Sequence, residues 1–154
     1  MMETTIQSPI GWLRLCEEDG ALCLIAKAED PYAETQEESA LLREASAQLE
    51  AYFAGDRQEF SIPIAPRGTA FENAVWQALR EIPFGQTRTY AQIAARIGKP
   101  SAARAVGRAC GRNPILVMIP CHRVVGSDGR LTGFAAGLAA KRTLLSLEGI
   151  NIKE

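Results

Sequence analysis

The chain has 154 residues, 47% apolar and 23% charged, with a formal net charge of -1. That is the composition of one soluble globular domain or two very small ones, and no apolar run approaches the roughly 18 residues of a membrane span. The near-neutral total hides an asymmetry: residues 1–67 hold 13 acidic and 5 basic side chains (net -8), and residues 68–154 hold 5 and 12 (net +7).

A split of that kind points to nucleic acid or another polyanion as partner of the basic half. The start, MMETTIQSPIGW, has no basic or apolar signal region, so no secretion signal is expected. Four unevenly spaced cysteines do not make a disulfide scaffold. One histidine and no C-x-x-C pair argue against a structural zinc site. The expectation is a reduced, cytoplasmic protein with mostly buried thiols.

In chain order, Thr4–Gln7, Trp12–Glu17 and Ala21–Ala26 read as short strands of an antiparallel meander. They are separated by the turn-forming Ser8-Pro9-Ile10-Gly11 and Asp19-Gly20. An acidic segment, Glu29 to Glu38, precedes a helix carrying Leu41, Leu42, Ala45, Leu49, Tyr52 and Phe53 at helical spacing, stopped at Gly55. Phe60–Ile64 is a further strand candidate that Pro63 would confine to an edge. Pro66-Arg67-Gly68 reads as a linker, and the charge changes sign there.

Short helices follow. Thr69-x-x-Glu72 and Thr89-x-x-Gln92 are capping boxes. The first opens a helix with the apolar face Phe71, Val75, Trp76, Leu79 and Ile82, ended by Pro83-Phe84-Gly85. The second opens Tyr90–Ile97, closed by Gly98-Lys99-Pro100. Ser101 is placed to cap a third helix running to about Arg112, and the pair has the helix-turn-helix pattern. In the third helix Arg104, Arg108 and Arg112 recur every four residues, one stripe along one face. Ala103, Val106 and Cys110 give a face to bury, and Ser101, Ala102, Ala105, Gly107, Ala109 and Gly111 keep the helix thin. It carries no Asn, Gln, Asp or Glu, so it lacks most groups that read base edges in the major groove. Two readings stand: a sequence-independent DNA contact in the narrower minor groove, or a solvated arginine face.

Asn113-Pro114 breaks that helix, and Ile115–Ile119 reads as a buried extended segment. Pro120-Cys121-His122-Arg123-Val124-Val125 comes next and holds the only histidine. Neighbours on an extended chain point to opposite faces, so a Cys–His contact there needs a bend or a bridging water. Either the thiol is activated by His122 and nearby cations, or Cys121 is a buried structural cysteine beside a core histidine.

The residues around this pair decide between these readings. Tyr90, Arg104-Ala-Val-Gly107, Asn113-Pro114, Ile119-Pro120-Cys121-His122-Arg123-Val124-Val125-Gly126, Gly133-Phe134-Ala-Ala-Gly137-Leu138, Lys141-Arg142 and Leu147-Glu148-Gly149 together resemble the O6-alkylguanine-DNA alkyltransferases (methylated-DNA–protein-cysteine methyltransferases). The resemblance covers residues 68–150 closely and the first half more loosely. It implies two domains. Residues 1–67 would form an α/β, ribonuclease-H-like unit, a small antiparallel sheet plus helix. Residues 68–154 would form a mostly α unit with a winged helix-turn-helix and the active-site cysteine.

The implied activity is direct-reversal DNA repair on a flipped-out base. Cys121 would take the alkyl group of O6-alkylguanine, with O4-alkylthymine a further candidate, in a single irreversible turnover. His122 would act as base through a water, Glu148 would hold the imidazole, Asn113 would brace the turn and Tyr90 would protonate the departing guanine. Arg104 would fill the vacated stack, Tyr90 would also push the target nucleotide, and Ala102 and Ala103 would let the helix approach closely. Arg108 would contact phosphate, as would Lys99 and Ser127 more weakly. Phe134, Ala135 and Ala136 would line the base pocket. Phe134 stands where some relatives carry Tyr, which keeps the stacking ring but loses a hydroxyl, and Ala136 stands where some carry Gly, adding a methyl that narrows the pocket against bulky adducts. The partner implied is double-stranded DNA containing O6-alkylguanine, bound in the minor groove with little sequence preference, by a monomer that needs no metal or organic cofactor and no membrane. The rivals are an alkyltransferase-like damage-binding protein without repair activity, a winged-helix regulator and a thiol hydrolase.

Overall fold

In the computed structural model, which describes residues 2–30 and 39–152, β1 (Met2–Ser8), β2 (Gly11–Glu18) and β3 (Ala21–Ala28) form an antiparallel sheet in that order. The strands run one or two residues beyond the sequence expectation. The β2–β3 hairpin shows why Asp19-Gly20 signals a turn. Glu18 pairs with Ala21, and both loop residues have positive φ, 53° and 78°. That is the two-residue hairpin geometry matching strand twist, and Gly20 adopts it without strain. Across β1 and β2, Arg14 binds Glu3 bidentately at 2.9 and 3.0 Å. Positions 31–38 of the acidic segment lie outside the described residues.

Helix α1 (Ala40–Phe53) is capped by Ser39, whose hydroxyl accepts from the Leu42 amide. It lays Leu42, Ala45, Leu49 and Tyr52, all fully buried, against the sheet residues Leu13, Leu15, Leu22 and Ile25. Phe60–Ile64 is not a strand. It makes one isolated parallel bridge, Leu22 with Ile64, in which the Pro63 carbonyl accepts from the Leu22 amide and the Leu22 carbonyl from the Ala65 amide. Pro63 has no N–H to extend the ladder. The chain divides into two compact units, Met1–Arg67 and Gly68–Glu154.

In the second unit, α2 (Ala70–Arg80) and α3 (Tyr90–Arg96) each begin with a complete capping box, Thr69 with Glu72 and Thr89 with Gln92. Trp76 lies buried in the core of α2, and its indole N–H donates to the Ala109 carbonyl at 2.9 Å. The backbone of Gly68 abuts that ring so closely that a Cβ would stand 2.5 Å from it.

Helix α4 spans Ala103–Gly111. It is shorter than expected at both ends: Ala102 is the N-cap and makes no side-chain bond, so Ser101 does not cap it, and Arg112 lies just beyond the last turn. Helix α5 (Leu138–Leu147) closes the unit. Two further strands of two residues each, β4 (Arg88–Thr89) and β5 (Val124–Val125), pair in parallel. Among the described residues no helix is long and apolar enough to cross a membrane.

Ile115–Ile119 is not extended. It is buried, but as a coil of tight turns. The Met118 amide bonds the Leu116 carbonyl at 2.8 Å around Val117, whose φ is 72°. This is the strained, positive-φ form of the γ-turn, and a β-branched residue in it is a true outlier. The Cys121 amide bonds the Ile119 carbonyl at 2.8 Å around Pro120, at φ -81° and ψ 62°, the relaxed form of the same turn. A strand would have needed a partner strand for its buried amides, whereas the two γ-turns bond the Met118 and Cys121 amides within the segment, and the Ile119 amide bonds the Ile115 carbonyl at 3.0 Å.

Candidate active site

Cys121 is delivered by these turns. Asn113, immediately after α4, closes the loop with one side-chain amide. Its Oδ1 accepts from the Ile115 amide at 2.9 Å, and its Nδ2 donates to the Ile119 carbonyl at 2.8 Å and to Cys121 Sγ at 3.0 Å. Residues Cys121–Arg123 form a single 3-10 turn, so the chain is bent rather than extended at the Cys-His pair. Val124 and Val125 then join β4, tying the thiol segment to the residue before α3.

Behind the thiol lies a cluster of buried charge. His122 Nε2 is 2.6 Å from Glu148 Oε2, and both side chains are fully buried. Arg123 donates to the same carboxylate at 2.8 and 3.1 Å and to the Ile82 carbonyl at 2.7 Å, and the Gly85 amide donates to it at 3.0 Å. A carboxylate already accepting from a guanidinium and an amide takes the Nε2 proton of the imidazole as its remaining donor. The other ring nitrogen, Nδ1, is buried and has no hydrogen-bond partner among the described residues. Burial holds His122 below its ordinary value, with Glu148 pulling the other way. The imidazole therefore rests neutral, its Nδ1 lone pair open to a proton.

Burial also pushes the Cys121 thiol up to about 11, against the opposing pull of the Asn113 hydrogen bond and the Lys141 charge. The resting nucleophile is a thiol, and its proton must leave during the reaction. Lys141 is fully buried on α5 and donates to the Val124 carbonyl at 2.6 Å and to Thr132 Oγ1 at 3.3 Å. Thr132 Oγ1 is in turn 2.6 Å from the Tyr90 hydroxyl. Burial raises Tyr90, the Thr132 bond opposing, so the phenol keeps its proton. The Tyr90 ring faces α4 and would be 3.8 Å from a Cβ at Gly107.

Of the residues singled out in the sequence, Cys121 and Asn113 are bonded, as are His122 and Glu148. Phe134 stands edge-on to the His122 ring at 6.5 Å, Ala136 is buried and Ala135 exposed. Arg104 and Arg108 are exposed, with no ion-pair partner among the described residues, and Ala102, Ala103 and Gly107 beside them are half-buried. Arg112 leaves the stripe and lies 3.6 Å from Glu72. Lys99 is exposed with its ammonium 5.8 Å from the Phe71 ring centre, and Ser127 is exposed on the loop after β5; neither is drawn into the cluster.

Sequence reasoning missed Lys141 and Thr132 as parts of the site, and Arg123 as the clamp on Glu148. For Lys141 a signal was present: it falls on the apolar stripe of α5 with Ala140, Leu144 and Leu145. Among the described residues no group of three His, Cys, Asp or Glu is placed to hold a metal ion.

A family model described as 6-O-methylguanine DNA methyltransferase, DNA binding domain, matches residues 70–150. A second, described as the ribonuclease-like domain of 6-O-methylguanine DNA methyltransferase, matches residues 1–66. The methylated-DNA--protein-cysteine methyltransferase of Methanosarcina acetivorans is 48% identical over 97% of this chain and 99% of its own length. The structure of Mycobacterium tuberculosis OGT in complex with DNA superposes with a TM-score of 0.86 at 46% identity, covering 95% of this chain and 91% of that one. Schizosaccharomyces pombe Atl1, in complex with damaged DNA containing O6-carboxymethylguanine, matches 57% of this chain and 83% of its own at 36% identity and a TM-score of 0.52.

Proposed function

The chain belongs to the 6-O-methylguanine DNA methyltransferase family, and we infer that it repairs alkylated DNA by moving the alkyl group from O6 of guanine to its own Cys121. The observation that carries this reading is the buried thiol held by Asn113 beside an imidazole whose one open nitrogen is Nδ1.

The geometry supports the following course of reaction. The lesion lies on the pairing edge of a base inside the duplex, so the nucleotide must leave the stack. Arg104 and Arg108 engage the DNA backbone and the vacated stack, and the small residues Ala102, Ala103 and Gly107 let α4 approach a groove closely. As Cys121 Sγ attacks the alkyl carbon, its proton passes to His122 Nδ1 through a water, and Glu148 balances the imidazolium. The C–O bond breaks and guanine departs with the electron pair, protonated by Tyr90. Phe134 stacks on the extruded base, and Ala136 narrows its pocket. The product is a thioether, which none of these groups cleaves, so each protein acts once. A pool of free thiols fits a reducing compartment, and we assign the chain to the cytoplasm.

Incubation with an oligonucleotide containing O6-methylguanine tests this. One methyl gained on Cys121, in step with lesion lost, is the expected result. A Cys121→Ala variant gains no mass and still binds DNA. Binding by the wild-type chain with no gain in mass would make it a damage sensor, the reading that the likeness to Atl1 keeps in view.

A further inference from the structure

A buried phenol that gives up its proton leaves a buried phenolate unless the proton is replaced. Tyr90 has one hydrogen-bonded neighbour placed to do this, Thr132 Oγ1 at 2.6 Å. Lys141 Nζ stands 3.3 Å from the same oxygen and 2.6 Å from the Val124 carbonyl. An ammonium has only donors, so the Thr132 oxygen accepts from Lys141, and its own hydrogen is free to point at Tyr90. The loop is folded to keep it there. The Gly126 amide bonds the Arg130 carbonyl at 3.1 Å, and a Cβ on Gly126 would lie 3.3 Å from Thr132 Cγ2.

We propose that Thr132 is a positioning residue that couples Lys141 to Tyr90 and passes a proton from the ammonium to the phenol as guanine leaves. The proposal rests on the reading of Cys121 as acceptor and Tyr90 as acid. Tyr90 gives its proton to the guanine ring, the Thr132 hydroxyl proton moves to the Tyr90 oxygen, and a Lys141 proton restores Thr132. Cys121 meanwhile loses its proton to His122. Charge balances: one cation, the ammonium of Lys141, is replaced by one, the imidazolium of His122, now beside Glu148. Burial favours the transfer from Lys141 to Tyr90, since it holds Lys141 below its ordinary value and Tyr90 above its own, while the imidazolium, which burial opposes, is supported by Glu148. A desolvated phenolate next to a desolvated ammonium resolves into two neutral groups.

The test compares single-turnover alkyl transfer by the wild-type chain, Thr132→Val and Thr132→Ser, on oligonucleotides carrying O6-methylguanine or an aza analogue whose leaving anion is less basic. Thr132→Val should transfer roughly 100-fold more slowly from guanine, at the lower end of the range for a lost acid–base contribution, with DNA affinity unchanged. The deficit should shrink on the less basic leaving group, and Thr132→Ser should recover most of the rate. On a Tyr90→Phe background Thr132→Val should change nothing further. Thr132→Ala supplies the same contrast if the valine variant does not fold. Equal slowing on both substrates, or none on either, overturns the relay while leaving Cys121 as acceptor. A wild-type chain that takes up no methyl overturns the underlying reading and the relay together.

Discussion

Two regions of the second unit hold its important charges, and they hold them in opposite ways. Around Cys121, Glu148, His122, Arg123 and Lys141 are buried, and each is bonded to another member, to a backbone carbonyl or amide, or to Thr132. On α4, Arg104 and Arg108 are exposed and unpaired among the described residues, on a helix otherwise made of small side chains. Buried charge is costly unless satisfied, so the first region is rigid and specifies geometry at the reacting atom. Exposed guanidinium groups are free to exchange water and counterions for phosphate. Chemistry and adhesion are thus separable, and substitutions should damage one without the other.

The largest expected effect is on the buried side. Glu148→Gln keeps the shape but leaves Arg123 buried without its counter-charge, which should cost about 3–5 kcal/mol of stability in urea unfolding. Alkyl transfer should fall with it, since the imidazole loses the group that sets its tautomer. A variant as stable as wild type would mean the cluster is not the structural unit described here.

The thiol gives a pH-dependent contrast. Cys121 ionises near 9 in the unfolded chain and about 11 in the fold. Between those values the unfolded state holds fewer protons, so stability should fall as pH rises, by up to ~1.4 kcal/mol per pH unit. Cys121→Ser should lose that share of the slope, whereas Arg104→Ala should keep it. His122 acts at the other end. Its folded value is depressed, so its contribution is present above about 6.5 and lost as pH falls below it.

Arg104→Ala and Arg108→Ala should change stability by no more than about 0.5 kcal/mol. Each should reduce the slope of log affinity against log salt by up to roughly 0.9 for a lost phosphate contact. An unchanged slope would return α4 to the status of a solvated face. Gly107→Ala should act on stability in the opposite direction. An added Cβ meets only the Tyr90 ring at an ordinary 3.8 Å, so the helix should gain about 0.5–1 kcal/mol. DNA affinity should fall if this face enters a groove, and a binding titration decides.

The same division explains what the sequence revealed. Asp19-Gly20, the two capping boxes and the heptad-like face of α1 are local, so each is readable from residues a few positions apart. The Cys121-His122 pair was visible as chemistry but not as geometry, because five apolar residues before it look like a strand. What folds them into turns is the Asn113 amide, whose three bonds reach as far as Cys121. The β4–β5 pairing links residues 36 apart through only two positions each, too few for any periodic signal. Lys141 and Thr132 were unreadable as a pair for the same reason: their meaning lies in the Tyr90 hydroxyl, which reaches them across the fold.

The Trp76 indole carries a practical consequence. Its ring is buried, packed against the backbone of Gly68, and its N–H is bonded to the carbonyl of Ala109 in the last turn of α4. The other tryptophan, Trp12, lies in the first unit. Replacing Trp12 by Phe would leave a single tryptophan, excited selectively over the three tyrosines, wired to the end of the arginine helix. Its emission would then report, without any label, whether that helix shifts when DNA arrives or when Cys121 is consumed.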